Sequence, residues 1–125
     1  MSRWISLWNA TREREVCPRC LVADSFWTRG KGLLGRAELP ADEGILLVPG
    51  TSIHMFGMKF SIDVIFLTRD DVVCDFAPHI APGKMHVARD RTGQNLKPHA
   101  ALEVAAGTIE RTGVQIGDQL ERREA

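Results

Sequence analysis

The chain has 125 residues, of which 44% are apolar, and its 16 basic side chains balance its 16 acidic ones. This size and composition predict one domain over residues 1–125, with a core that needs neither a metal nor a disulfide. The balanced charge gives no net field that would favour nucleic acid, and no stretch reaches the ~20 apolar residues of a membrane span. Three cysteines cannot all pair within one chain, so we expect a protein of the reducing cytoplasm.

The N-terminal segment predicts a β-hairpin. Side-chain character alternates from Arg3 to Trp8, and Trp4 and Trp8 fall on the same face. Two tryptophans on a face that would otherwise be solvated indicate cover by a loop or a dimer contact, so we expect a monomer or a homodimer. Glu15–Ala23 is the predicted partner strand.

The next segment predicts a helix. Asp24 or Ser25 can cap it, apolar side chains between Phe26 and Leu34 share one face, and Gly35 can end it.

The remainder of the chain predicts short strands. Apolar runs bounded by turn residues occur at 44–48, 52–58, 61–68, 72–80, 100–105 and 118–122, with a tight helical turn at 107–113. Residues 81–98 are interpreted as a long polar loop. About seven short strands with one short helix packed against them predict an α+β, mostly β fold with a curved or barrel-like sheet.

Four motifs occur in this order: Arg29-Gly-Lys-Gly-Leu-Leu-Gly-Arg36, His54-Met-Phe-Gly-Met-Lys-Phe-Ser-Ile-Asp-Val-Ile-Phe66, Leu102-Glu-Val-Ala-Ala-Gly107 and Gly117-Asp118. Over residues 20–120 this order resembles the domain-of-unknown-function family 192, a set of small uncharacterised proteins. The resemblance implies a β-rich single domain with one short helix and a pocket of unassigned chemistry. Many relatives carry an export signal that this chain does not show, so the resemblance also implies the cytoplasmic branch. It supplies no substrate, cofactor or catalytic residue.

Two short motifs have simpler interpretations than their spacing first indicates. Gly30-Lys-Gly-Leu-Leu-Gly35 matches a dinucleotide-binding run, but the residues before it already look helical, so close helix packing is favoured and no cofactor is expected. Cys17-Pro-Arg-Cys20 lacks the second pair of a zinc site, although Cys74 or a histidine could complete one. It also lacks the helix start of a thioredoxin-type redox pair. We expect two cysteines at the edge of the hairpin without essential chemistry, and no metal.

Three polar residues interrupt the apolar segment 52–67, namely His54, Lys59 and Asp63. Asp63 shares a strand face with Ile65 and is therefore expected to be at least half buried. A buried carboxylate must accept hydrogen bonds or shift its pKa. The favoured interpretation is structural: Asp63 accepts backbone amides across a turn.

The alternative interpretation is functional. His54 and Asp63 would face a pocket together with Glu103, where two carboxylates and an imidazole could carry out general acid–base catalysis. A metal site from these three and His79 lacks an ordered ligand motif and is not expected. The candidate ligand-binding residues are His54, Met58, Lys59, Asp63, His79, Lys84 and Glu103.

Two segments are basic. The loop 81–98 has a surplus of three positive charges, and the segment 25–36 has no acid beside Arg29, Lys31 and Arg36. If they are neighbours, they form a cationic rim suited to a small anion or to an acidic group on a partner; otherwise they are two solvated faces. The cations of the loop are Lys84, Arg89, Arg91 and Lys97.

Three functional classes remain. A non-catalytic binding module for a small or anionic ligand or a partner segment ranks first, because no nucleophile elbow, phosphate loop or metal motif indicates catalysis. The alternatives are a small enzyme that uses His54, Asp63 and Glu103, and an assembly protein that pairs through Trp4 and Trp8.

Overall fold

A computed structural model describes residues 3–23 and 37–125. These residues form nine strands and one short helix, namely β1 (Arg3–Asn9), β2 (Arg14–Ala23), β3 (Glu43–Leu47), β4 (Ser52–His54), β5 (Ile62–Leu67), β6 (Val73–Ile80), β7 (Met85–Val87), β8 (Ala100–Ala105), α1 (Thr108–Thr112) and β9 (Leu120–Glu124). The helix expected at 26–34 and its glycine motif lie outside the described residues.

Seven of these strands form one sheet in the order β6-β5-β8-β3-β2-β1-β9. The two edge strands approach each other near a bridge between Val72 and Gln119. There the Val73 N–H donates to the Asp118 carbonyl at 2.8 Å, and the Leu120 N–H donates to the Asp71 carbonyl at 2.9 Å. The sheet is therefore a curled half-barrel, and the mostly β fold class predicted from the sequence is confirmed.

Both faces of the sheet are buried, which explains the continuous apolar character of β5. Its alternate residues Ile65 and Leu67 belong to an inner core, to which all seven strands contribute. The residues between them, Val64 and Phe66, belong to an outer core on the opposite face. Because β5 lies between β6 and β8, all six of its residues are buried.

A small second sheet, formed by β4 and β7, covers part of the outer core. Ile53 is buried beneath it, and the His86 ring stacks on Phe66 with ring centroids 5.4 Å apart. The sequence-based prediction missed β7 because three residues, two of them exposed, are too short to show a period in a polar segment. It also extended β4 to Met58, whereas the strand ends at His54.

The expected position of the cysteines at a hairpin edge is wrong. The pairing of β1 with β2 shifts between Ile5 and Leu7, which face Cys20 and Cys17 respectively. This bulge directs both thiols into the inner core, although residues three apart in a regular strand point to opposite faces. A Cβ on Gly44 would lie 2.8 Å from the Cys17 sulfur, so only glycine fits there.

The buried Cys20 thiol is a weak acid. A hydrogen bond with Cys17 and burial both raise the pKa of Cys20, so the neutral thiol persists at physiological pH.

Among the described residues, no helix is both long enough and apolar enough to cross a bilayer.

Candidate functional site

Asp63 is fully buried, and its carboxylate is occupied by backbone donors. Oδ1 accepts the His79 N–H at 2.9 Å, and Oδ2 accepts the N–H groups of Gly107 at 3.1 Å and Ile109 at 2.9 Å. These bonds join β5 to the end of β6 and to the start of α1. The geometry agrees with the structural interpretation of Asp63 and leaves little of the carboxylate for a substrate.

Glu103 does not face Asp63. In the pairing of β5 with β8, Glu103 lies opposite Val64 and Asp63 lies opposite Val104, so the two acids point to opposite faces of the sheet. Glu103 is buried on the outer-core side, and burial raises its pKa to about 7. None of the described residues donates a hydrogen bond to its carboxyl group.

The other sequence-based candidates are dispersed. His54 is exposed and stacks on Phe56 with ring centroids 6.0 Å apart, whereas Met58 packs against the outer core. The side chains of Lys59, His79 and Lys84 are exposed. The structure does not bring His54, Asp63 and Glu103 together, so the acid–base alternative has no geometric support.

A cleft of about 510 Å³ instead lies beside β7, at the basic loop. Its wall is formed by Asp75, Phe76, Met85, His86, Val87, Arg89 and Arg91. Arg89 and Arg91 are two of the loop cations for which the sequence left open a cationic rim or a solvated face. The basic residues expected from segment 25–36 lie outside the described residues.

Asp75 organises this cleft. Its Oδ1 accepts the Phe76 N–H at 2.8 Å and lies 3.5 Å from Arg91 Nη1. Its Oδ2 accepts the Arg89 N–H at 3.0 Å and lies 2.9 Å from His86 Nε2. The Asp75 side chain is only 3% exposed, so these donors replace the water it has lost.

The arginines give the cleft a net positive charge. Two arginines and one aspartate line the cleft, and the long Arg91–Asp75 contact leaves Arg91 able to reach an incoming anion. Arg91 also lies over the Phe76 ring, 5.3 Å from its centroid, which holds its stem against the cleft wall.

Asp90 holds the loop that carries both arginines. Its Oδ1 accepts the Thr92 N–H at 3.0 Å and the Thr92 hydroxyl at 2.6 Å, and its Oδ2 accepts the Leu96 N–H at 2.9 Å. The Arg91 N–H donates to the Cys74 carbonyl at 2.8 Å, which fixes the loop to β6. The arginine backbones are thus ordered before any ligand arrives.

Asp75 and Phe76 are not among the site residues predicted from the sequence. The signal that could have found Asp75 is the one used for Asp63, a carboxylate within an otherwise apolar strand. Apart from the Phe76 N–H, its donors come from β7 and the loop after it, 11 to 16 residues further along the chain, a proximity that no local spacing reveals.

Each of the two N-terminal tryptophans has an arginine over its ring. The guanidinium of Arg19 lies 4.9 Å from the Trp4 ring, and that of Arg123 lies 4.6 Å from the Trp8 ring. Each contact covers part of one indole ring, and Trp4 remains 40% exposed. Within residues 3–23 and 37–125, no group of three histidine, cysteine or acidic side chains is placed to hold a metal ion.

Solved structures share this fold. A crystal structure from Novosphingobium aromaticivorans, of a protein of unknown function, superposes with a TM-score of 0.78 at 23% identity and covers 96% of this chain and 84% of the other. One from Sinorhizobium meliloti, whose description suggests a transcription regulator, has a TM-score of 0.78 at 24% identity and covers 98% of this chain and 94% of the other. At such identities the likeness shows the fold alone.

Curated relatives come from two archaea. A UPF0127 protein of Pyrococcus furiosus is 30% identical over 118 residues, which is 90% of this chain and 94% of the relative. A UPF0127 protein of Thermococcus sibiricus is 29% identical over 117 residues, which is 90% of this chain and 71% of the relative. The model of the family DUF192, described as an uncharacterized ACR, matches residues 8–122. The resemblance noted from the four motifs is thus confirmed, and the chain belongs to the uncharacterised family DUF192.

Proposed function

We propose that this protein is a non-catalytic binding module that holds an anionic group in the cleft beside β7. The observation that carries the proposal is the internal saturation of Asp75, whose oxygens are all occupied by donors of the protein itself. The guanidinium groups of Arg89 and Arg91 therefore exceed the negative charge available to them, and an anion can make up the difference.

The apolar part of the cleft wall extends this proposal to the character of the ligand. Phe76, Met85 and Val87 line the cleft together with the charged groups. Pockets that combine apolar walls with a few fixed polar groups are typical of ligand sites in proteins. The site suits a ligand with both an anionic and an apolar portion.

We also propose that the protein works in the cytoplasm. The support is the chemistry of its buried thiols, since Cys17, Cys20 and Cys74 are all unpaired. Cys17 and Cys20 are close enough to interact as free thiols, a state that a reducing compartment maintains.

The test uses inorganic phosphate and small dicarboxylates as probes. We expect them to shift the backbone amide resonances of Phe76, Val87 and Arg89 in the isotope-labelled protein. Replacing Arg89 and Arg91 together by serine should weaken this binding at least tenfold, because both attractive charges are removed. Arg69→Ser is the matched control, since Arg69 is an exposed arginine in the β5–β6 turn and not in the cleft.

The outcome is decisive in either direction. Shifts that map to the cleft and disappear only in the double variant support the proposal. Probes that bind equally to the double variant and to Arg69→Ser, or that cause no shift at the cleft, overturn it. Arg89→Ser alone guards against misfolding, because among the described residues the Arg89 guanidinium makes no contact on which the fold depends.

A further inference from the structure

Within residues 3–23 and 37–125, β7 pairs with another strand along only one of its two edges. The Ala88 N–H donates to the Thr51 carbonyl at 2.9 Å, and the Met55 N–H donates to the Lys84 carbonyl at 2.8 Å. These bonds make Thr51–Ala88 and Met55–Lys84 hydrogen-bonded pairs. Because hydrogen-bonded and non-hydrogen-bonded pairs alternate in an antiparallel ladder, the next hydrogen-bonded pair between them is Ile53–His86. The backbone groups of Met85 and Val87 therefore point away from β4.

The unpaired edge of β7 lies in the cleft. All three β7 residues form part of the cleft wall, and no residue of β4 does. The cleft thus runs along the side of β7 that β4 leaves open, and the opposite wall is formed by Asp75 and Phe76 of β6. An occupant of the cleft meets backbone donors and acceptors at strand spacing.

The facing edge of β6 is blocked at the cleft. The Phe76 N–H is already bonded to the Asp75 carboxylate, and Pro78 has no N–H to offer. A carboxylate and a proline on an edge strand are features that prevent strand addition. Just after β7 the Arg89 N–H is bonded to Asp75 in the same way, but within the described residues no such contact covers the backbone groups of Met85 and Val87.

Along the free edge of β7, two exposed apolar side chains are followed by a basic one. Met85 is 53% exposed, Val87 is 56% exposed, and Arg89 follows at the next alternate position. Phe56, which is 64% exposed, lies two residues beyond β4 in the chain. Three of the four large apolar side chains exposed in the described residues therefore belong to the β4–β7 region, and the fourth is Trp4.

We propose that an extended acidic segment of a partner protein adds to β7 as a third strand of the small sheet. Its backbone pairs with Met85 and Val87, its apolar side chains pack on those two residues, and its carboxylates meet Arg89 and Arg91. This inference rests on the proposed function and names its ligand. Strand addition draws affinity from backbone bonds and specificity from alternate side chains, and this edge offers both.

Charge complementarity and the free edge together favour a peptide over a small anion. A phosphate would satisfy the arginines but would leave the backbone groups of β7 and the exposed Met85 and Val87 without partners. A strand with an acidic residue at one position and apolar residues two and four positions away satisfies all three features.

The experiment uses a library of blocked hexapeptides in which an acidic residue and valine, leucine or isoleucine occupy alternate positions, with threonine between them. A second library replaces the acidic residue by lysine. We expect acidic members to bind with a Kd of about 1 mM or tighter and to shift the Met85 and Val87 amides, whereas the lysine members do not bind. N-methylation of the peptide amides that face β7 should abolish binding, because it removes the strand pairing.

A matched pair of proline variants tests the edge itself. Val87→Pro removes an N–H that faces the cleft, and Ser52→Pro removes one on the far edge of β4, at the residue that pairs with Val87. The first should weaken peptide binding at least tenfold, and the second should leave it unchanged. If Val87→Pro does not fold, Arg89→Ser with the N-methylated peptides gives the same decision.

The failures of the two proposals are distinguishable. If inorganic phosphate binds in the cleft but no acidic peptide does, or if N-methylated peptides bind equally well, strand addition is overturned and the binding-module proposal stands. If neither phosphate nor any peptide binds in the cleft, both proposals are overturned.

Discussion

Buried acids have two different environments in this protein. Asp63, Asp75 and Asp118 are each surrounded by hydrogen-bond donors, whereas the carboxyl group of Glu103 receives none from the described residues. The three aspartates are therefore satisfied in the interior as hydrogen-bond acceptors, whereas burial raises the pKa of Glu103, which holds its proton more tightly.

Replacing Asp63 tests its structural role. Asp63→Ala leaves the N–H groups of His79, Gly107 and Ile109 without their acceptor in the interior. We expect the free energy of unfolding to fall by about 1–3 kcal/mol, measured by urea denaturation. Asp70→Ala, at an exposed turn, is the control and should change it little. Equal stability of the two variants would contradict the role of Asp63.

Replacing Glu103 tests the cost of its burial. Burial raises the pKa of Glu103 from 4.5 to about 7, so its contribution to stability is complete below pH 4.5 and is lost as the pH rises through 7. Glu103→Gln stays neutral and should stabilise the protein by up to about 3 kcal/mol above pH 7, with no gain below pH 4.5.

The measurement for Glu103 is the melting temperature of both proteins across this pH range. Glu110→Gln, on the exposed side of α1, is the control and should show no such trend. A Glu103→Gln difference that does not grow with pH would contradict the raised pKa.

At the scale of elements, the cleft is formed largely by short segments whose sequences show neither a strand nor a helix periodicity. The β7 strand and the loop after it are placed by contacts with β6, through Asp75 and the Cys74 carbonyl, rather than by their own propensity. Asp90 then fixes the loop internally. The hydrogen bond from the Thr92 hydroxyl makes the largest contribution to lowering the pKa of Asp90, and backbone N–H donors lower it further. These hydrogen bonds to the Asp90 carboxylate therefore persist to acid pH.

Replacing Asp90 tests whether the loop is ordered in advance. Asp90→Ala removes the acceptor of the Thr92 and Leu96 N–H groups, so their hydrogen exchange should accelerate at least tenfold while exchange in β5 stays unchanged. Binding of phosphate to the cleft should weaken, because Arg89 and Arg91 must then be ordered by the ligand. Unchanged exchange at Thr92 would show that other contacts order the loop.

At the scale of the whole molecule, the half-barrel depends on contacts near its meeting edges. Asp118 accepts the Asn9 amide at 2.8 Å, the Arg12 Nε at 2.8 Å and the Gln115 N–H at 2.9 Å. Arg122 adds a bidentate ion pair with Asp71 at 2.9 and 3.0 Å. These bonds fix the β1–β2 turn and β9 against the start of β6.

Replacing Asp118 tests this closure. Burial alone would raise the pKa of Asp118, but hydrogen bonds from Asn9 and Arg12 outweigh it and lower the pKa. Its contribution is therefore present above the ordinary aspartate pKa of 3.8 and is lost as the pH falls through the lowered value. Asp118→Asn should cost about 1–3 kcal/mol near neutral pH.

Urea denaturation from neutral to acid pH measures this effect. The difference between the wild type and Asp118→Asn should shrink as the medium becomes acidic. A constant difference would show that the carboxylate charge does not contribute to the closure.

The sequence by itself determined most strands and the mostly β class, because alternation and turn residues are local. Ala100–Ala105 is a strand with the expected bounds, and Asp63 is buried as its face with Ile65 requires. Only the tertiary structure decided that Glu103 turns away from Asp63, that a bulge directs both Cys17 and Cys20 inward, and that Asp75 meets the basic loop. Each of these depends on strand register or on contacts between distant segments, which a linear pattern does not encode.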